Sequence, residues 1–257
     1  MSKPNILIVN DDGILAPGLR SLIEAVKTIG TPYIMAPDKP QSGQGHAITI
    51  HDPIKVKEVY HFTGLKAYKC SGTPVDCVKI ARNVMYKDID FDLCVSGINH
   101  GSNAAINIIY SGTMSAAMEA SLEGIPAIGF SLCDISMEAD FAAATHYAAV
   151  MIRWALDHEF KKSLLLNVNI PKLPIEDIKG IKVCCQGKSA WKEDFMEVKN
   201  PRGESYYWMT GEFVLYEEAE DTDIRALGEG YISVVPSMHD LTAHPALEEF
   251  RYLEEAR

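Results

Sequence analysis

The chain has 257 residues, of which 47% are hydrophobic, 23% charged and 9% aromatic, a globular rather than a disordered composition. Lys and Arg number 24 against 35 Asp and Glu, so the formal net charge is −11, which argues against a nucleic-acid polymer as partner because such binding rests on clustered cations. No apolar run approaches the roughly 18 residues of a membrane span, so no membrane partner is expected, while a small phosphorylated ligand at a local site is compatible with the charge.

In chain order, Asn5–Asn10 (NILIVN) is a short apolar run ending in turn residues and reads as a buried strand. The early interruption by Asp11 and Asp12 makes residues 1–10 too short for a signal peptide. Leu19, Leu22, Ile23 and Val26 recur at helical spacing after Pro17-Gly18. Tyr33–Ala36 predicts a second strand, 38–45 a polar Gly-rich loop, and Ile48–Tyr60 a hairpin. Thr73-Pro74 opens a helix that runs to about Met85 and is expected to be capped. Leu93–Ser96 then predicts a strand, Gly112–Leu122 a helix, Ala127–Ser131 a strand, Glu138–His158 a long helix and Leu164–Ile170 a strand. Short β-rich stretches follow at Ile181–Gln186, Tyr206–Met209, Phe213–Glu217 and Tyr231–Val235, and Ala246–Arg257 predicts a terminal helix. The expected fold class is α/β: a Rossmann-like, doubly wound, mostly parallel sheet with a C-terminal β-rich arm. The six cysteines form no C-x-x-C pair and read as reduced, buried thiols of a cytoplasmic protein.

Ligands of open parallel sheets bind at the carboxyl ends of the strands. The first strand is followed by Asn10-Asp11-Asp12-Gly13, the second by the loop with Ser42-Gly43, and the middle one by Ser96-Gly97-Ile98-Asn99-His100-Gly101-Ser102-Asn103. Two carboxylates, a hydroxyl and an amide oxygen form an oxygen-only donor set suited to Mg²⁺ or Mn²⁺. Adjacent carboxylates repel, and a divalent cation compensates them; the alternative is that one aspartate caps the next helix while the other is solvated. Tyr110-Ser111-Gly112-Thr113 opens a small-residue helix whose first-turn N–H groups suit an anion. His46 and His100 fall in the candidate loops. No P-loop and no G-x-S-x-G elbow is present, and the acidic pair after the first strand is D-D rather than the D-x-D of phosphoaspartate phosphatases.

These residues also carry a family resemblance. N-D-D-G at 10–13, A-P-x-x-x-x-S-G at 36–43, S-G-T-P-x-D-C-V at 71–78 and S-G-I-N-x-G-x-N at 96–103 occur in order. They are followed by Y-S-G-T at 110–113, A-A-x-E at 116–119, N-V-N-I-P at 167–171, P-R-G-x-x-Y-Y-W at 201–208, Y-I-S-V-x-P at 231–236 and D-L-T-A at 240–243. Through them the chain resembles the SurE (survival protein E) family of metal-dependent nucleotidases over nearly its whole length. Two departures stand out: Ala105 where the family usually has Gly, and Val235-Pro236-Ser237 where it has T-P-L.

The resemblance implies one SurE-like domain over 1–257, one divalent cation per subunit on Asp11, Asp12, Ser42 and Asn99, and phosphate or substrate contacts from Gly43, Asn103, Ser111, Gly112 and Thr113. It implies hydrolysis of nucleoside 5′-monophosphates, also of 3′-monophosphates, with a side activity on short polyphosphate. Asp11 and Asp12 would be the catalytic carboxylates and water the direct nucleophile. A homodimer or tetramer built through an arm at about 205–250 is also implied. The rival reading is a nucleotide-sensing protein that uses the same pocket without turnover. A receiver-like domain fails because the middle strand ends in Ser-Gly-Ile-Asn rather than in a third aspartate.

Overall fold

Alternate residues of the first strand, β1 (Asn5–Val9), are buried on opposite faces: Ile6 and Ile8 in one apolar cluster, Leu7 and Val9 in another. A strand buried on both sides needs a helical layer on each face. The structure is a computed structural model that describes residues 3–136, 138–158, 165–216 and 219–256. After β1 come α1 (Pro17–Lys27), β2 (Thr31–Pro37), β3 (Val56–Val59), β4 (Ala67–Cys70), α2 (Pro74–Ile80), β5 (Leu93–His100) and α3 (Gly112–Leu122). Then follow β6 (Ala127–Leu132), α4 (Ala142–Asp157), β7 (Leu165–Ile170), β8 (Ile181–Val183), β9 (Ser189–Lys199), β10 (Ser205–Leu215), α5 (Asp223–Gly228), β11 (Ile232–Ser237) and α6 (Leu247–Phe250).

The main sheet has the order β3-β4-β2-β1-β5-β6-β7-β11-β8. The six strands from β4 to β7 are parallel, β3 closes one edge antiparallel, and β11 with β8 closes the other antiparallel to β7. Residues of α1 and α4 share one cluster, and residues of α2 and α3 share the other. The sheet is thus doubly wound and mostly parallel, as the βαβ alternation predicts. From β1 the chain runs to β2 and β4 on one side, then returns to β5 on the other. The strand order therefore reverses between β1 and β5, where Asp11-Asp12 and Asn99 emerge.

Several expectations need correction. The hairpin expected within Ile48–Tyr60 does not form: residues 48–55 carry no strand, and β3 pairs instead with β4, a strand the pattern did not predict. The helix from Pro74 to Met85 is α2 continued by a π-helical turn over Ala81–Met85. The segment taken as an arm, 205–250, divides. Its start belongs to the β9–β10 hairpin, which begins already at Ser189, whereas β11 joins the main sheet. The tail forms 3₁₀ turns around the single α-turn of α6 instead of one helix. Leu164, Glu217 and Arg257, at the ends of expected elements, lie outside the described residues. The four cysteines Cys70, Cys77, Cys94 and Cys184 are buried free thiols as expected, but Cys185 is exposed. No helix among the described residues is long and apolar enough to cross a membrane.

Helix α1 reaches the switch point because Gly18 lets it lie against β5. A Cβ there would stand 1.9 Å from the Ile98 carbonyl oxygen, which is backbone and cannot move aside. Gly18→Ala is therefore expected to destabilise the fold by about 3 kcal/mol, the upper range for overpacking, read as a lower urea midpoint at unchanged slope.

Candidate metal and phosphate site

Asp11 leaves the end of β1 with its side chain turned onto the first turn of α3. The Thr113 hydroxyl donates to Asp11 Oδ1, and the Thr113 backbone N–H adds a second bond. Gly112 makes this approach possible: a Cβ there would stand 2.6 Å from Asp11 Cβ and 2.9 Å from Oδ2. Ser111 caps α3, its hydroxyl accepting from the Met114 N–H at 3.0 Å. The glycine is explained by the carboxylate packed on it.

Asp12 is partly buried, and its Oδ2 accepts from the His100 backbone N–H at 3.2 Å, which ties the end of β1 to the end of β5. Burial pushes the Asp11 carboxyl up to about 6, and the adjacent charge of Asp12 adds to the rise against the pull of the Thr113 bonds. Burial raises Asp12 as well, opposed by the His100 N–H. The charge of the nearby His100 also pulls Asp12 down.

Ser42 and Gly43 are exposed on the loop that follows β2. The Gln41 N–H donates to the Asp11 carbonyl at 2.8 Å, and the Gly45 N–H to the Tyr110 carbonyl at 3.2 Å, so the loop is held between the two segments that meet at Asp11. Gly43 adopts φ 74 with open space where a Cβ would be. On β5, Gly97 is required because a Cβ would stand 2.4 Å from the Phe130 carbonyl oxygen. Two residues later the Asn99 amide nitrogen donates to the Gly101 carbonyl at 2.8 Å, which leaves Oδ1 as the available donor atom.

The structure thus brings Asp11, Asp12, the Ser42 loop and Asn99 to one sheet edge, with Ser111 and Gly112 against Asp11. Two of the expected phosphate contacts sit further back. Thr113 is fully buried and committed to Asp11. Asn103 is buried in a polar network: its amide donates to Ser131 Oγ at 2.8 Å, its N–H to Asn169 Oδ1 at 2.8 Å, and its carbonyl accepts from Asn167 Nδ2 at 2.9 Å. Both are placed to position the site's loops. The S-G-T-P turn is a helix start as expected: Thr73 and Asp76 form a reciprocal capping box on α2.

Sequence reasoning assigned no role to two buried acids that hold the site's loops. Glu119 on α3 binds His46 and Lys79. Asp223 accepts from the N–H groups of Ala105 at 2.7 Å and Gly187 at 2.9 Å. A lone glutamate on a small, apolar helix was the available signal for Glu119. Thr222-Asp223 reads locally only as a helix start.

The donor set fits a hard divalent cation on two observations. The two carboxylates are adjacent, one buried and one partly so, and the charge of Asp12 raises Asp11. Two further oxygens, Asn10 Oδ1 just after β1 and Ser96 Oγ on β5 beside Val9, are buried without a partner among the described residues. Among the described residues no three His, Cys, Asp or Glu side chains cluster for a metal, so only a site completed by hydroxyl and amide oxygens is available.

Fold and site together define a doubly wound α/β protein with paired aspartates at its topological switch point. Comparison with known proteins agrees with this description. The family model described as survival protein SurE matches residues 6–193. A 5′-nucleotidase SurE of Flavobacterium psychrophilum is 54% identical over 249 residues, 96% of each chain. One of Christiangramia forsetii is 53% identical over 253 residues, 96% of this chain and 95% of the relative. A crystal structure of the SurE protein from Aquifex aeolicus matches with a TM-score of 0.84 at 39% identity, over 98% of this chain and 100% of that one. The chain belongs to the SurE family.

The raised Asp11 carboxyl has a consequence for stability. Because its folded value, about 6, lies above the ordinary 3.8, the charged form costs stability that is absent below pH 3.8 and fully present above pH 6. In metal-free protein Asp11→Asn keeps an oxygen for Thr113 and removes the charge. It is expected to raise stability by up to about 3 kcal/mol at pH 7.5 and by little at pH 3.5, measured by chemical denaturation in EDTA.

Proposed function

We propose that this chain is a 5′-nucleotidase that hydrolyses nucleoside 5′-monophosphates to nucleoside and phosphate. The observation that carries the reading is the Asp11–Asp12 pair at the switch point, with Asp11 locked to α3 by Thr113. The names of its relatives, 5′-nucleotidase SurE, support the same substrate class. Activity on 3′-monophosphates and on short polyphosphate would follow from the same phosphate contacts, with little selectivity for the base. The whole chain, 1–257, acts as one domain in the cytoplasm.

Asp11, Asp12, Ser42 and Asn99 would hold one divalent cation, Mg²⁺ or Mn²⁺. When bound, the cation would stabilise charge on the phosphate oxygens and activate water as nucleophile. The protein's part is placement. Thr113 fixes the Asp11 carboxylate, and the His100 N–H fixes Asp12 beside it. Asp11 would also take the proton of the attacking water. The Gly43 amide on its open loop, with Ser111 and Gly112 beside Asp11, faces the remaining phosphate oxygens. Water displaces the nucleoside directly: its oxygen bonds to phosphorus as the bond from phosphorus to the nucleoside oxygen breaks and that oxygen takes up a proton, with no covalent intermediate on a cysteine or histidine.

The β9–β10 hairpin supports self-association. It forms a two-stranded sheet of its own, and Trp208 is 65% and the next residue, Met209, 71% exposed, so both faces are open. Tyr206, Tyr207, Phe195 and Met196 extend this surface, more apolar area than a monomer ordinarily leaves in water. The chain acts as a homodimer or tetramer through this arm. Sedimentation is expected to give a species of at least twice 28.4 kDa at micromolar concentration, and a purely monomeric species would refute the arm's role.

Release of inorganic phosphate from a panel of mononucleotides, with Mn²⁺, with Mg²⁺ and with EDTA, tests the activity; none from any nucleotide would favour the sensor. Asp12→Asn is expected to lower turnover by more than the roughly 100-fold typical of residues behind a metal ligand, while leaving the fold intact. Excess Mn²⁺ should raise the melting temperature of the wild type and hardly move that of the variant. An equal response of both proteins would remove Asp12 from the donor set.

A further inference from the structure

The loop from Gln41 to Thr49 has no regular secondary structure, yet it carries Ser42 and Gly43 and has defined attachments. Its ends are fixed by backbone and hydroxyl bonds: the Gln41 N–H to the Asp11 carbonyl at 2.8 Å, the Thr73 hydroxyl to the Ala47 carbonyl at 2.7 Å, and Thr49 to Asp76. Its middle is held differently. His46 Nε2 lies 2.9 Å from Glu119 Oε2, and Lys79 Nζ donates to the other oxygen of the same carboxylate. Glu119 is 5% exposed on α3, two turns beyond Gly112, whereas His46 is 34% exposed at the tip of the loop. Next to it, the Gly45 N–H meets the Tyr110 carbonyl, and a Cβ on Gly45 would stand 3.2 Å from the Ile109 carbonyl oxygen.

The geometry points to His46 and Glu119 as positioning residues: a clamp that presses the Ser42 loop onto α3 and so sets the position of Ser42 relative to Asp11. The inference rests on the assignment of Ser42 to the cation site for its effect on metal affinity, and on contacts alone for its effect on the loop. Four features converge. The carboxylate is buried and belongs to the same helix whose first turn holds Asp11. Lys79, on α2, neutralises it and fixes its orientation. The histidine is the group on the loop that reaches it. Between His46 and the Gln41 anchor lie Ser42, Gly43 and Gln44, all exposed, and the half-buried Gly45 bonded to the Tyr110 carbonyl, so the residues at either end of the exposed stretch determine where Ser42 sits. Neither residue touches the donor set, so the clamp acts through the loop.

The test compares wild type, His46→Ala and His46→Gln, whose amide nitrogen reaches about as far as Nε2. Two readouts are used: amide hydrogen exchange at Gln44 and Gly45 in metal-free protein, and Mn²⁺ binding by titration calorimetry. In His46→Ala the exchange is expected to quicken about tenfold and the Mn²⁺ dissociation constant to rise about tenfold, the effect of losing a support behind a metal ligand. KM should rise more than kcat falls. The melting temperature in EDTA should move by less than about 2 °C, because the site is half open to water. His46→Gln should restore both readouts most of the way. Unchanged exchange in His46→Ala, or failure of His46→Gln to restore it, would overturn the clamp whatever the metal does. An exchange difference in a protein that binds no Mn²⁺ would uphold the clamp and overturn the cation reading instead.

Discussion

The Asp11 carboxylate against the first turn of α3 is the contact on which the rest of the site depends. A helix start offers unpaired N–H groups and the positive end of its dipole, so a carboxylate docked there is stabilised without a cation. Thr113 supplies the hydroxyl and N–H that bind it, and Gly112 supplies the absence of a side chain that would collide with it. This contact joins the end of the central strand to the helix that follows β5. It therefore fixes the two sides of the switch point relative to each other. Asp12 makes the second connection through the His100 N–H. The cost is two neighbouring acids, one buried and one partly so: burial, with the repulsion of Asp12 added, raises the Asp11 carboxyl to about 6. A site so arranged is less stable empty than its fold permits, as expected where selection favours binding over stability.

The legible part of the sequence was the part governed by local rules. Strands buried on both faces show as apolar runs, and the turn residues after them mark the ligand edge, so Asp11, Asp12, Ser42 and Asn99 could be collected before any topology was known. The illegible part depends on contacts remote in the chain. β4 is four residues, AYKC, too short for a pattern to register. The β9 strand, SAWKEDFMEVK, lacks the polar–apolar alternation of a half-buried strand because neither of its faces is buried within the chain. Gly112 was read as leaving N–H groups open to a ligand; that the chain's own Asp11 occupies its side of the turn is a contact across about a hundred residues, beyond any local signal.

The same holds for the acids that anchor the loops. Four buried carboxylates surround the candidate site, and each is compensated by a different means. Asp11 uses a helix start. Asp76 uses the capping box of α2 together with both the N–H and the hydroxyl of Thr49, which secures the far end of the Ser42 loop. Glu119 uses a lysine and a histidine. Asp223, fully buried, uses only N–H groups, those of Ala105, Gly187 and Ile224. Burial of an unpaired carboxylate would cost far more than any one loop contributes, so each acid enforces the conformation that satisfies it.

Ala105 shows how far that enforcement extends. Its φ is 53, in the left-handed region, where a glycine would be at ease and an L-residue pays about 1 kcal/mol or more. Nothing local in Ala-Ala-Ile favours such a turn. The conformation is imposed from outside: Asp223 takes the Ala105 N–H, Gln186 Nε2 donates to the Ala105 carbonyl at 3.0 Å, and Ser189 takes the next N–H at 3.1 Å. Hydrogen bonds to a buried carboxylate are worth more than the left-handed penalty, so the backbone takes a glycine-like path at an alanine. The path matters because residues 105–110 lead directly into Ser111 and Gly112, and because two of the three bonding partners lie at the root of the exposed hairpin. The turn that leads into Ser111 and Gly112 and the root of the β9–β10 hairpin are therefore held by one set of hydrogen bonds.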